Sequence, residues 1–502
     1  MRQYYGLILL ALSTSLAAGE WTFTPRFNIN ETYTSNVLYV ENGEEGDFIT
    51  TLAPGLSVRG EGPRLSSTID YNLQQRFYFD KTRLDRLNHQ LQGDMQATVI
   101  KEWLYIDTNS RVSQQPIANR GRVTQDNRGG TGNLQDVVSY EIIPRIEHRL
   151  GSWFDVRMEY SRQTVDRSGP GNTGLVSQGS STENGYRFEV NGGERFGRFP
   201  FRFTHESRDV DFDSGQKNEF KSDTGELSYI WSRKFRFTAT GGNEDNSFPT
   251  SRGQSDGLFW SVGGTWTPSR RTTLSGSWGD RFFGKTFNVS ASHRHRRFYF
   301  SLDYSEDVRT SNQSERDLAL VPLLDVTGEP VFDPVTSSLI LVPLDTPSLT
   351  DDASVNRRLN VSMNYIMHRS DVSLRFFQND QEFQRGGNDE KTRGATAAYS
   401  RSISPRLSMN LGVTWRENEN SGDTSSGSYY RISSGLSYRL GPHTTARLNF
   451  EHATNDGGTG DTGGSRFDSG GAGFGGGFGD LDGSRGSQYS ENSLSAGLVF
   501  DL

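Results

Sequence analysis

The chain has 502 residues, a formal net charge of −8 and a mean hydropathy of −0.67. The acidic balance disfavours sequence-independent binding to nucleic acid, and the absence of cysteine excludes disulfide frameworks, thiol catalysis and a lipid attached to cysteine. Only 32% of the residues are hydrophobic, but 12% are aromatic, which is too large a share for a disordered chain. The protein must therefore bury or anchor many rings.

The first 19 residues have the three parts of a secretory signal peptide. Arg2 supplies a positive charge, Gly6 to Leu12 form a short apolar core, and small residues precede a cleavage point after Ala17, Ala18 or Gly19. The apolar run is far shorter than the ~20 residues of a membrane helix. We therefore expect Sec-type export with removal of residues 1–19, and a single domain over residues 20–502.

Apolar and polar residues alternate along most of the remaining chain. The alternation is clearest in four segments, at residues 199–206, 258–266, 359–367 and 407–416. Strict alternation is typical of a sheet with one apolar and one polar face. No helical period of 3.6 residues persists after the signal peptide.

Short turns alternate with longer polar segments. The turns centre near residues 152, 198, 233, 270, 296, 369, 404 and 441. This rhythm predicts an all-β fold, a transmembrane antiparallel up-and-down β-barrel with about 22 strands, within a range of 20 to 24. Lys101 and Glu102 mark a further candidate turn, and an even strand count places both termini in the periplasm.

A soluble β-sandwich shows the same alternation, because it buries one face between two sheets. The positions of the aromatic residues favour the barrel. Six rings lie beside the short turns, where the aromatic girdle of a membrane barrel is found: Trp153, Phe199, Trp231, Phe235, Trp266 and Phe298.

The sequence ends in an amphipathic strand, "NSLSAGLVFDL". We expect this strand to pair with the first one, because a sheet in lipid must leave no open edge. The end also resembles the C-terminal assembly signal of bacterial outer-membrane barrels, with matches at Ser495, Gly497, Phe500 and Leu502. Leu502 departs from that signal, in which a terminal aromatic residue is commoner.

Several segments resemble the PEP-CTERM-system-associated outer-membrane β-barrel family. The resemblance implies a bacterial outer-membrane protein encoded with an exosortase and exopolysaccharide system, and it implies no catalytic residues. The matching segments are "ETYTSNV" (31–37), "HQLQGDMQATVIKEWLYIDTNSRVSQQ" (89–115), "HRLGSWFDVRMEYSR" (148–162) and "GDRFFGKTFNVSASHRHRR" (279–297).

Two motifs invite a chemical interpretation. His293 and His295 flank Arg294, but a metal site needs more converging ligands, so a solvated basic turn is favoured. His205, Glu206 and Ser207 are consecutive, and neighbours on a strand point to opposite faces, so they form no compact triad. We expect neither an enzyme nor a cofactor.

Residue parity places a mixed set of charges on the face that lines the barrel interior. The mixture predicts a polar conduit but does not define a substrate. The candidate lumen-lining residues are Arg157, Arg187, Arg202, Glu206, Arg208, Arg358, Arg375, Arg416 and Arg447.

Two long loops are predicted, at about residues 310–354 and 455–487. The second is glycine-rich. The first contains the apolar segments "LALVPLL" and "SSLILVPL", which predict packing as a lid or plug, or alternatively a surface for a partner.

Three functions fit these features. The first is a channel or secretion-linked component of exopolysaccharide or PEP-CTERM export in the bacterial outer membrane. The second is a filled structural or docking barrel, and the third, an integral hydrolase, has no converging catalytic set. The expected partners are outer-membrane lipid and lipopolysaccharide, the barrel-assembly machinery, and exopolysaccharide or exported proteins.

Overall fold

A computed structural model describes most of the chain. The predicted signal peptide, Leu502 and most of the two long loops lie outside the described residues. The residues that the structure describes are 19–116, 128, 134–168, 180–251, 253–310, 313, 320–322, 341–343, 352–386, 389–421, 426–456 and 488–501.

Within these residues, 22 strands form one antiparallel sheet. Most contain 12 to 15 residues, enough to cross a bilayer when tilted. The strands are β1 (Glu20–Thr34), β2 (Asp47–Glu61), β3 (Leu65–Tyr78), β4 (Arg86–Ile100), β5 (Leu104–Pro116), β6 (Leu134–Leu150), β7 (Phe154–Ser168), β8 (Ser181–Gly192), β9 (Phe201–Phe212), β10 (Lys217–Ile230), β11 (Phe235–Ser247), β12 (Gly257–Ser269), β13 (Thr272–Arg281), β14 (Gly284–His295), β15 (Phe298–Arg309), β18 (Ser354–Ile366), β19 (Ser370–Phe383), β20 (Glu390–Ser402), β21 (Leu407–Asn420), β22 (Gly427–Arg439), β23 (Thr444–Asp456) and β24 (Tyr489–Asp501).

Two further short strands lie in the segment between β15 and β18. They are β16 (Leu320–Pro322) and β17 (Leu341–Pro343), which pair antiparallel with each other. The other residues of this segment that were predicted to form a lid, a plug or a partner surface are outside the described part of the chain.

The sheet is a closed up-and-down barrel. Each barrel strand pairs with the next along the chain, and β15 pairs with β18. The first strand, β1, also pairs antiparallel with β24, from Arg26 opposite Asp501 to Thr34 opposite Ser493. The predicted fold class and the count of 22 are confirmed. No helix in the described residues is long and apolar enough to cross a membrane.

The two ends of the barrel differ in their connections. We call the end that holds both termini of the sheet the turn end, and the opposite end the loop end. The predicted turns all lie at the turn end, including the one at Lys101 and Glu102. The connections there are 62–64, 101–103, 151–153, 193–200, 231–234, 270–271, 296–297, 367–369, 403–406 and 440–443.

The outward face of the wall carries apolar side chains. Met158, Leu411 and Leu448 are exposed on this face, and their neighbours in sequence point inward. Aromatic rings cluster beside the turn end, where Phe235 stacks on Trp266 with centroids 5.9 Å apart. This outward band has the composition that lipid requires of a membrane barrel.

At the loop end, an apolar cluster joins several strands. Val210, Phe212 and Phe220 pack with Phe248, and the same cluster includes residues at the base of the longest connection, Val308, Ala353 and Val355. The cluster therefore ties the strands on both sides of that connection to β9 and β10.

Candidate functional site

The register places the predicted lumen residues of β7, β8 and β9 on one face. Arg157 lies opposite Glu189, and Arg187 lies opposite Glu206. The neighbouring Met158 and Tyr186 are exposed on the outward face. Because side chains alternate strictly along a strand, these charged residues face the barrel interior.

The five predicted residues on these strands form two sets of ion pairs. In the first set, Arg157 donates to Glu159 at 2.7 Å. In the second set, Arg208 lies 2.9 Å from Glu206, and Arg187 lies 3.6 Å from Glu189 and 4.0 Å from Glu206. Arg202 lies 3.7 Å from Glu189.

The set that contains Arg157 extends to charged residues on β5 and β6 that were not among the predicted lumen-lining residues. Arg145 on β6 lies 3.5 Å from Asp107 on β5 and 3.4 Å from Glu147, which in turn lies 3.5 Å from Arg157. The segment around Arg145 reads Ile-Ile-Pro and does not alternate. If the alternation of inward and outward side chains is continued past these three residues, it predicts that Arg145 faces inward.

Three arginines of these two sets are more exposed than the carboxylates beside them. The side chains of Arg157, Arg187 and Arg202 are 39%, 45% and 50% exposed. Those of Glu159 and Glu189 are 17% and 14% exposed. Glu147 and Glu206 are more accessible, at 39% and 29%, so the three guanidinium groups are among the most exposed charges but not the only ones in these contacts. We call Arg157, Arg187 and Arg202 the guanidinium strip.

The other predicted lumen arginines lie on a separate arc of the wall. Arg358 faces inward on β18 and Arg375 on β19, while Arg416 faces inward on β21 and Arg447 on β23. Arg416 donates to Asn418 at 3.3 Å. The structure therefore divides the nine predicted residues into two groups, five on β7, β8 and β9 and four on β18, β19, β21 and β23.

Three residues of the predicted assembly signal lie at the seam between β24 and β1. Ser495 is opposite Thr32, Gly497 is opposite Asn30, and Phe500 is opposite Phe27. A Cβ atom at Gly497 would lie 2.6 Å from Asn30 Oδ1 and 2.9 Å from the Ile29 carbonyl oxygen. Glycine is therefore required sterically at this point. Recognition of the signal by an assembly machinery stays a prediction.

A buried polar cluster lies beside the seam at the loop end. Arg128, from the connection between β5 and β6, donates to Ser493 at 3.3 Å and lies 3.6 Å from Glu451. Arg431 pairs with the same carboxylate at 2.6 Å. Next to this cluster, burial and the nearby Glu491 carboxylate raise the pKa of Tyr39 well above its ordinary value.

The inner wall around the seam is covered. Six polar side chains that face inward on β1, β2 and β3 are almost inaccessible to water, and other parts of the chain must therefore pack against them. They are Asn28, Asn30, Thr32, Thr51, Gln74 and Arg76. Gln163 on β7 and Glu183 on β8 are equally inaccessible, at 1% each, so the covered wall continues around the loop-end half of the barrel. The guanidinium strip lies nearer the turn end and is accessible.

A cavity of about 390 Å³ lies in the turn-end half, between the seam and the strip. Its lining includes Arg59, Asp94, Gln96, Asp107 and Asn109. Asp107 belongs both to this cavity and, through Arg145 and Glu147, to the set of ion pairs that contains Arg157. The accessible polar surface of the lumen therefore continues from the cavity to the strip.

The histidine motifs assemble no reactive centre in the described residues. His293 lies 2.8 Å from the Thr272 hydroxyl. His205 pairs on the outward face with Asp223 at 2.7 Å, while Glu206 points inward, as the strand geometry predicts. No three histidine, aspartate or glutamate residues of the described chain converge as metal ligands.

No protein-family model matches the chain, and no curated protein matches it. Solved structures share its architecture. The FrpB iron transporter from Neisseria meningitidis (F3-3 variant) aligns with a TM-score of 0.53 and 9% identity, over 96% of this chain and 81% of that one. The siderophore receptor PirA from Acinetobacter baumannii aligns with a TM-score of 0.49 and 11% identity, over 96% and 81%. The likeness to the first establishes a shared barrel fold.

Proposed function

We propose that the protein is a bacterial outer-membrane barrel whose polar lumen conducts hydrophilic solutes. The observation that carries the proposal is the pairing of an apolar outward face with an inward face on which charged side chains remain exposed to water. A closed sheet satisfies all its backbone groups in lipid, and a hydrated inner wall suits passage of polar molecules. On this proposal the protein is not an enzyme.

We further propose that this channel serves the export of exopolysaccharide. This step rests on the resemblance of four sequence segments to the PEP-CTERM-associated barrels. The solved barrels of similar fold are named as an iron transporter and a siderophore receptor, and they share only 9–11% identity with this chain. Their substrates therefore do not decide between import and export.

A filled structural or docking barrel is the second candidate. The covered inner wall at the seam favours it, because Asn28, Thr32 and Gln74 are wholly inaccessible. Arg128 is bound into the same region by Glu451 and Ser493. If such packing fills the whole cross-section of the lumen, no solute passes through the barrel.

Liposome swelling separates the two candidates. Purified full-length protein in liposomes should admit small neutral sugars at a rate that falls with sugar size, whereas a filled barrel admits none. The export role has its own test. Deletion of the gene should reduce surface polysaccharide, and complementation with the intact gene should restore it. Unchanged surface polysaccharide would remove the export role and leave the channel standing.

A further inference from the structure

The charges of this acidic chain are divided between the two ends of the barrel. The connections at the turn end contain twelve basic residues and two acidic ones, Glu102 and Glu194. The connections at the loop end contain 22 acidic and ten basic residues. The chain as a whole has a net charge of −8, but the connections at the turn end are positively charged and form a cationic rim.

The basic residues of this rim project into water. All twelve are exposed, and they are distributed over eight of the ten turns. We call the following set the basic rim: Arg64, Lys101, Arg195, Arg198, Arg233, Lys234, Arg270, Arg271, Arg296, Arg297, Arg369 and Arg406. A ring of one sign around an opening raises the local concentration of oppositely charged solutes and speeds their entry.

The guanidinium strip lies on the same side of the barrel. Arg157 and Arg202 are near the turn-end start of β7 and β9, and Arg187 lies between them on β8. They are staggered along the strands, because Arg157 lies opposite Glu189 and Arg202 lies opposite Asn191, two and four positions from Arg187. The three groups therefore line one slanting patch of the inner wall that extends from the turn end. An anion that passes the basic rim therefore meets exposed guanidinium groups, and the neighbouring Glu159 and Glu189 carboxylates are less accessible to it.

We infer that the lumen binds an anionic chain, such as a glycan bearing carboxylate or sulfate groups, which enters at the turn end past the basic rim and contacts the guanidinium strip. This inference deepens the proposed channel function and rests on it. Guanidinium groups bind carboxylate and sulfate-like oxygens through paired hydrogen bonds. Several weak contacts in series also allow release, which conduction requires.

The test uses two oligosaccharides of equal length and different charge. Hexagalacturonate and maltohexaose are added separately to the turn-end side of full-length protein in a planar bilayer, and the concentration that blocks half the ion current is measured. Hexagalacturonate should block at a concentration lower by at least about tenfold, as expected from several partly exposed charge contacts acting together. Equal blocking by both sugars would overturn the inference.

Three triple variants locate the effect. Arg157→Gln, Arg187→Gln and Arg202→Gln together should remove most of the preference. The corresponding Arg→Lys variant should keep part of it, because lysine retains the charge but not the paired hydrogen bonds. The matched control is Arg83→Gln, Arg385→Gln and Arg393→Gln, which removes the same charge near the loop end and should change nothing. Heat-modifiable migration checks folding. An unchanged preference in the folded strip variant would overturn the role of the strip.

A rim variant tests the point of entry. Arg270→Gln, Arg271→Gln, Arg296→Gln and Arg297→Gln together should slow blocking by hexagalacturonate from the turn-end side, with a smaller difference at high salt. If blocking is unchanged and the variant instead loses bound phosphatidylglycerol, the basic rim is a lipid-headgroup surface and the proposed entry is wrong.

Failure of the channel is distinguishable from failure of this inference. If the wild-type barrel conducts no ions, the proposed function fails, and hexagalacturonate binding to the detergent-solubilised barrel is then measured by calorimetry. Binding that weakens by about tenfold in the glutamine variant of the strip supports the inference without conduction. Absent or unaltered binding overturns it.

Discussion

Thr34 donates a hydrogen bond of 2.7 Å to Glu491 across the seam between the first strand and the last. Both residues are buried, although they are separated by 457 positions in sequence. The contact lies next to nine consecutive residue pairs between β1 and β24, which close the sheet into a barrel. Closure of the barrel therefore depends on the C-terminal strand.

Truncation before Ser495 should prevent assembly. It removes the β24 residues that pair with β1 from Arg26 to Thr32 and leaves unpaired backbone groups at an edge in lipid, each costing several kcal/mol. The measurement is the amount of heat-modifiable, protease-resistant protein in the outer membrane. Normal amounts from the truncated chain would contradict the role of the seam.

Gly497→Val should impair assembly for a local reason. Its Cβ would lie 2.6 Å from Asn30 Oδ1, so either the side chain of Asn30 or the seam must move. We expect a loss of about 1–3 kcal/mol, typical of overpacking, measured by urea unfolding in lipid vesicles. Gly441→Val is the control, because a Cβ at Gly441 meets nothing within 4 Å. Equal losses from the two variants would show that the seam contact is unimportant.

Val413→Arg should destabilise the barrel more than Thr414→Arg. Val413 is 50% exposed on the outward face of β21, and Thr414 points inward opposite Arg431 on β22. An arginine facing lipid costs about 2–4 kcal/mol near the midplane. An arginine at position 414 instead faces a polar wall, where its charge is repelled by Arg431 on the neighbouring strand. The difference in free energy of unfolding measures this, and a larger loss from Thr414→Arg would reverse the assignment of faces.

Tyr39 should make stability fall at alkaline pH. Burial raises the pKa of its hydroxyl above the value near 10 that the unfolded chain has. The unfolded state therefore loses its proton first, and stability present below pH 10 decreases as the pH rises towards the folded pKa. The loss is at most about 1.4 kcal/mol per pH unit. Unfolding at pH 9 and pH 11 is compared with that of Tyr39→Phe, which should show a smaller decline; parallel declines would contradict this role.

The sequence was sufficient to predict the barrel because its two physical requirements are local. Alternation along each strand specifies an apolar and a polar face, and short turns specify up-and-down neighbours. The strand count and closure follow from these, as the pairing of Thr32 with Ser495 shows. The alternation is weakest where a strand is interrupted, as at Pro144 beside Arg145.

The charge distribution in the lumen was less predictable, because it depends on how far each side chain reaches. Parity places Arg187 and Glu189 on the same face, and by charge they cancel. The structure shows the first 45% exposed and the second 14% exposed, a difference of depth that no sequence pattern contains. The covered wall at the seam was also missed, since it depends on contacts such as Arg128 with Ser493 across 365 positions.

Single-channel recording tests the central claim, an accessible polar lumen, most directly. Full-length wild-type protein is inserted into a planar bilayer, and current steps are measured at increasing salt concentration. We predict discrete steps whose conductance rises with the salt concentration and which the empty-detergent control lacks. Folded, heat-modifiable protein that inserts and gives no steps would contradict the claim and establish a filled barrel.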